Sequence, residues 1–198
     1  MKKRLLSLLL ALTMALSLAT TGAWAADQDS IRVTVTIANQ GAIAVGKNGT
    51  LMAQVPVTVT DRNGKFTYDE AMVAAHEAYY VEGKDGFELN ASSGWVTKLW
   101  GETGSSSYYQ NNASFSELVN AQPIENGDDL SAFVYSDPKC SDKYGFFDQS
   151  TVSVKTGEKL ALNLQGTGYD ENWSLITAPV NNAELITIDK EGAFHELN

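Results

Sequence analysis

One helix signal stands in this chain between two sets of strand signals, and that arrangement limits the folds open to it. Thr67 is followed three residues later by Glu70, the pairing of a capping box. Ala71, Met72, Ala75 and Tyr79 then fall at helical spacing. The spacing predicts a helix over 67–81. Before it, residues 31–37 alternate β-branched with polar side chains, the pattern of a half-buried strand. Val55, Val57 and Val59 repeat that pattern within 52–60. Pro56 lacks an N–H, so its strand belongs at a sheet edge or begins there. Gly41, Gly46 and Asn48-Gly49 mark a loop or hairpin tip, and Asp61-Arg62-Asn63-Gly64 a turn. After the helix, 95–100 reads as a short strand or turn. Residues 107–111 and 129–135 read as strands, with a turn at Glu125-Asn126-Gly127-Asp128. Strand, strand, helix, strand, strand predicts an α+β fold with the helix on one face of a sheet.

Asp137-Pro138 interrupts this pattern, and 138–149 reads as a linker or irregular crossover. Strands are then expected at 150–155, 159–165 and 183–188, the last leading into a hairpin turn at Asp189-Lys190-Glu191-Gly192. The segment 150–198 is therefore expected to be all-β. It is either a small or clipped sandwich, or two or three strands added to the first domain.

Residues 1–25 have the layout of a secretory signal peptide. Lys2-Lys3-Arg4 is basic, 5–19 is apolar, and Ala23-Trp24-Ala25 is an A-x-A cleavage site. Cleavage there leaves 11 bases against 24 acids, a charge of about −13. A surface that acidic repels phosphate backbones and anionic lipid, which argues against nucleic acid as a partner and against membrane insertion after cleavage. Cys140 is the single cysteine, so no internal disulfide can form and stability must come from packing. The expected location is secreted, extracellular or at the cell surface of a bacterium.

Four segments within 31–137 carry a family resemblance. They are Val33-Thr34-Val35-Thr36-Ile37, the helical run from Asp69 to Tyr80, Tyr108-Tyr109-Gln110-Asn111-Asn112, and Gly127-Asp128 leading to Phe133-Val134-Tyr135. Together they resemble the transcobalamin-like C-terminal domain family, a module common in secreted Gram-positive proteins. There the last two segments form the tyrosine/asparagine strand and the closing Gly-Asp strand. The resemblance implies a β-grasp-like domain over 26–137, a sheet packed on one helix. The start Thr151-Val152-Ser153-Val154-Lys155-Thr156-Gly157-Glu158 resembles an immunoglobulin-like surface repeat, which implies an Ig-like segment over 150–198, with 138–149 as linker.

The functional candidates are aromatic and amide side chains. Trp95, Trp100, Tyr108, Tyr109, Asn111 and Asn112 lie among hydroxyls and carboxamides, with few charges nearby. Such a mixture suits a surface that touches a neutral polar partner or a flat ring. Tyr108 and Tyr109 point to opposite faces of a strand, so one belongs to the core and the other to the surface. The tryptophans fill a small core on one reading and form an exposed platform on the other. No catalytic set is evident: His76 and His195 are the only histidines, and neither a His/Cys cluster for zinc nor a nucleophile elbow is present. Asp61, Asn63 and Glu70 invite comparison with a calcium loop. Placing Gly64 at the sixth position puts Val59 at the first, where no ligand is possible, so a plain turn is favoured.

The expected function is that of an exported, non-enzymatic binding or adhesion module without cofactor or metal, its partner a glycan, protein or small molecule outside the cell. The alternative is capture of a corrinoid-like small molecule. The resemblance implies it, because in vertebrate cobalamin carriers the related domain covers one face of the corrin ring. Those carriers also use a helical domain that this chain lacks. A small hydrolase is a third and weaker option.

Overall fold

The computed structural model describes residues 29–62, 64–149, 152–180, 186–188 and 194–196. The signal segment 1–25, Asn63 and the turn expected at 189–192 lie outside the described residues.

The first part of the chain contributes β1 (Ser30–Asn39), β2 (Ala42–Ile43), β3 (Val55–Thr60), helix α1 (Tyr68–Tyr79), β4 (Glu88–Leu89), β5 (Val96–Lys98), β6 (Ser106–Gln110), β7 (Ala113–Ser114) and β8 (Asp129–Val134). Six of these strands form one mixed sheet organised around β1. On one side β1 pairs antiparallel with β2 and β3. On the other it runs parallel to β8, which pairs antiparallel with β6, and β6 with β7. A parallel pair needs a long crossover, and the connection from β3 through α1 to β6 belongs to it. β4 and β5 form a separate short ladder.

The alternation in sequence is the alternation in burial. Ile31, Val33, Val35 and Ile37 of β1, and Val55, Val57 and Val59 of β3, are all buried. They face Tyr68, Ala71, Met72 and Ala75 of α1 across one continuous core. Each such aliphatic side chain contributes about 1.5–3 kcal/mol when fully buried. α1 begins as its sequence requires: the Thr67 N–H donates to Glu70 Oε2 at 3.3 Å, and the Thr67 hydroxyl donates to Asp69 Oδ1 at 2.6 Å.

Pro56 sits where its missing donor costs nothing. β3 pairs only with β1, and Pro56 lies opposite Thr34. The Thr34 N–H points the other way, to Asp128 O at 2.9 Å, so this pair exchanges no ladder bond. Pro56 O instead accepts from the Tyr79 hydroxyl at 2.8 Å, fastening the helix end to the edge strand.

Tyr68 pins the start of the helix to the sheet. Its ring is fully buried, and its hydroxyl donates to Ser131 O at 2.8 Å, with Tyr109 O at 3.3 Å. Burial, above all else, holds this phenol well above its ordinary pKa. Tyr68→Phe keeps the ring and removes only the donor. Both carbonyls also take part in the β6–β8 ladder, so the expected loss is about 1 kcal/mol in urea denaturation with an unchanged slope.

The second half departs from its expected layout. The stretch 138–149, expected as linker or crossover, contains β9 (Tyr144–Phe147). β9 is the outer strand of a three-stranded antiparallel sheet with β10 (Leu164–Tyr169) and β11 (Leu175–Pro179). The described residues of 150–155 are not strand, and the alternating run 159–165 is irregular up to Leu164. Leu160 and Leu162 alternate but remain exposed, with none of the described residues covering them. The strand forms instead where Gly166 and Gly168 leave room. A Cβ on either would come within 3 Å of Val180 or of the Lys143 stem. β12 (Ile186–Ile188) and β13 (Phe194–Glu196) form a separate antiparallel pair.

Candidate functional site

The six aromatic and amide candidates do not form one surface. Trp100 and Gly101 occupy the two centre positions of a tight hairpin, with φ of 52° and 80°. Leu99 and Glu102 close it with two N–H···O bonds of 3.0 Å. Positive φ at both centre residues is the geometry of a type I′ turn. That turn drives the indole inward. Trp100 is 6% exposed, packs on His76 (ring centroids 4.9 Å apart) and Tyr80 (5.0 Å), and donates from Nε1 to Val45 O at 3.4 Å.

His76 is the polar residue inside this aromatic nest, fully buried among Tyr80, Phe87 and Trp100. Nδ1 lies 2.7 Å from Met72 O, and the Trp100 N–H donates to Nε2 at 3.0 Å. A carbonyl needs a donor and an N–H needs an acceptor, so the imidazole is neutral with its proton on Nδ1. Burial pushes its pKa down to about 4. Both ring nitrogens are engaged within the fold, which leaves neither for general-base work in this conformation.

Tyr108 and Tyr109 divide between faces as strand geometry requires, but both rings pack inward, so the expected split into one core ring and one surface ring does not hold. Tyr109, 1% exposed, lies on the sheet face away from α1 and stacks on Tyr144 of β9 at 4.1 Å. With Phe133, Tyr135 and Cys140 it forms a second small cluster. β8 is therefore buried on both faces, with Leu130, Ala132 and Val134 toward the helix and Ser131, Phe133 and Tyr135 toward β9. Tyr108 is half-buried on the helix side, edge-on to Tyr68 and hydrogen-bonded to the Ser106 hydroxyl. Burial raises its phenol pKa.

Asn111 and Asn112 are the centre of the β6–β7 hairpin, with φ of 53° and 65°, a second type I′ turn. Their carboxamides are spent inside the molecule. Asn111 Nδ2 donates to Asp128 Oδ1 at 2.8 Å, and its Oδ1 accepts from the Asp129 N–H at 2.9 Å. Asp128 also accepts from Gln110 Nε2 and the Glu125 N–H, each at 2.7 Å. The Gly127-Asp128 element of the sequence thus anchors the hairpin rather than presenting charge. Asn112 Oδ1 accepts from the Tyr144 hydroxyl at 2.8 Å, which ties β9 to the first sheet.

Trp95 is the ring left in solvent, 72% exposed at the start of β5. It borders a groove of about 560 Å³ that also takes in Ser106, Tyr108, Leu118, Tyr169 and Leu175. Two of the six candidates, Trp95 and Tyr108, therefore meet at one open site. Tyr169 and Leu175 join them from the second sheet, and sequence reasoning missed both. The usable signal was the pair of aromatics Tyr169 and Trp173 around the Asp170 turn, with both rings exposed.

The acidic turn is accounted for locally. Asp61 Oδ1 accepts from the Gly64 N–H at 2.6 Å and the Lys65 N–H at 3.2 Å, while Glu70 serves the helix cap. Among the described residues no group of three or more His, Cys, Asp or Glu is placed to hold a metal ion. No described helix is long and apolar enough to cross a membrane. Comparisons of the chain with protein-family models, with curated proteins and with solved structures each return no match.

Proposed function

We propose that this chain is an exported, non-enzymatic binding or adhesion module, and that it meets its extracellular partner along the groove beside Trp95. One observation carries the reading: an exposed indole borders a 560 Å³ groove that is walled in part by an uncharged stretch of an acidic chain. Between Glu102 and Glu117 no residue is charged. An aromatic ring beside hydroxyl and backbone groups is the usual make-up of a site for a neutral, partly apolar partner. His76, held at both nitrogens in the core, supports the non-enzymatic part. The mixed sheet with one helix across it supports a β-grasp-like module over 26–137, of the transcobalamin-like kind. The antiparallel second sheet supports an Ig-like reading of the C-terminal segment.

The test is Trp95→Ala. An exposed ring contributes little to folding, so the denaturation midpoint is expected to stay within about 0.5 kcal/mol of the parent. Binding to neutral oligosaccharides and uncharged peptides, screened by calorimetry, is expected to drop at least about tenfold for whichever probe the parent binds. Full retention of that binding by the variant would refute the placement of the site.

A further inference from the structure

The groove is not a simple pit, because one of its walls is the open edge of β6. The register against β8 pairs Ser106 with Val134, Ser107 with Phe133 and Tyr108 with Ala132. The Tyr135 N–H donates to Ser105 O at 3.0 Å, and the Asn111 N–H to Asp129 O at 2.8 Å. Antiparallel ladders alternate, so Ser105, Ser107, Tyr109 and Asn111 turn their backbone groups toward β8. Ser106 and Tyr108 turn theirs away from it, toward the groove. Among the described residues, β7 covers this edge, and only opposite Tyr109 and Gln110. Proteins commonly guard such an edge with charge, proline or a covering segment; here it reads Gly104-Ser105-Ser106-Ser107-Tyr108.

The surroundings suit an added strand. Trp95 and Leu118 line the groove together with Tyr108. Tyr169 and Leu175 of the second sheet border the same groove. Trp95, Leu118, Tyr169 and Leu175 are all exposed. An extended peptide alternates its side chains, so a strand laid on this edge would set apolar residues against both walls while its backbone bonds to Ser106. A chain of about −13 repels acidic peptides, and apart from Glu117 the residues lining the groove are uncharged.

We infer that the ligand of this groove is an extended, uncharged peptide segment of a partner protein, which adds to the open edge of β6 as a further antiparallel or parallel strand. The inference rests on the groove being the contact surface, and it names what that surface takes.

The probe is a blocked hexapeptide of alternating valine and threonine, titrated into the protein while backbone amide signals and amide exchange are followed residue by residue. Binding is expected to protect the Ser106 and Tyr108 amides. Ser106→Pro is expected to weaken it by at least about tenfold while the sheet survives, since the lost N–H is not one that β8 uses and proline is tolerated on an edge. A second arm leaves the protein untouched: N-methylation at one set of alternate peptide residues is expected to abolish binding, and at the other set to preserve it. Equal binding by both methylated peptides and by Ser106→Pro would overturn strand addition. So would absence of peptide binding, or a concentration-dependent dimer through β6 that Ser106→Pro abolishes, which would make the occupant a second copy. Neutral oligosaccharides shifting the groove residues where the peptide does not would also overturn it, yet would leave the groove as the contact surface. Retained binding of every probe by Trp95→Ala would remove the groove itself.

Discussion

Trp100→Ala is expected to cost about 3–5 kcal/mol of folding stability, a large share of the 5–15 kcal/mol that a domain of this size has to lose. The ring is nearly closed off from solvent and packs on His76 and Tyr80. Its removal leaves a cavity beside a buried imidazole and strips the Val45 carbonyl of its indole donor. The turn geometry does not change, because alanine meets the same positive φ that tryptophan already adopts there. The loss is therefore mainly one of packing, with a part-buried hydrogen bond of 3.4 Å, and not of backbone strain. Denaturant titration measures the effect. A midpoint shift as small as that expected for Trp95→Ala would mean that the indole is not structural.

Acidification is expected to remove about 3 kcal/mol through His76 alone. In the unfolded chain this imidazole takes up its proton near pH 6.5, whereas in the fold its pKa is lowered to about 4 by burial. Above pH 6.5 both states are neutral there, and the contribution of His76 to stability is complete. As the pH falls from about 6.5 to about 4 only the unfolded chain gains the proton, and stability drops. Below about 4 the loss levels off. Protonation also ends the acceptor role of Nε2 toward the Trp100 N–H. Glu70 acts in the opposite sense, since burial raises its pKa above 4.5, so a bulk stability curve mixes the two. The folded-state imidazole signals isolate His76. They are expected to remain those of the neutral ring down to pH 5. A titration midpoint near 6.5 in the folded protein would contradict the buried, doubly bonded histidine.

What was legible in the sequence is what periodicity and capping encode. The β1 and β3 alternations, the Thr67–Glu70 cap, the Pro56 edge and the placing of Tyr108 and Tyr109 on opposite sheet faces all obey local rules, and each appears where those rules put it. What was not legible depends on contacts between distant segments. Leu160 and Leu162 alternate as cleanly as Val55 and Val57, but none of the described residues covers them. Gly166 and Gly168 look like strand breakers until the Lys143 stem is seen lying against them. Tyr144 sat in an apparent linker because its role, stacking on Tyr109 and bonding to Asn112, is visible only in three dimensions. The site suffered likewise. Composition favoured a ring-and-amide surface, but Asn111 and Asn112 suit the positive φ of a type I′ turn, and their side chains satisfy neighbours. Trp95 and Trp100 are five residues apart and have opposite fates, because Trp100 sits in a tight turn that aims its ring at His76 of the helix.

The most direct measurement is the pair of indole N–H signals of Trp95 and Trp100, assigned by substitution and followed during titration with the valine–threonine hexapeptide and with neutral oligosaccharides. The account predicts that the Trp95 signal moves with bound ligand and that the signal of the buried Trp100, hydrogen-bonded to Val45 O, does not. Movement of Trp100 with Trp95 unchanged would contradict it.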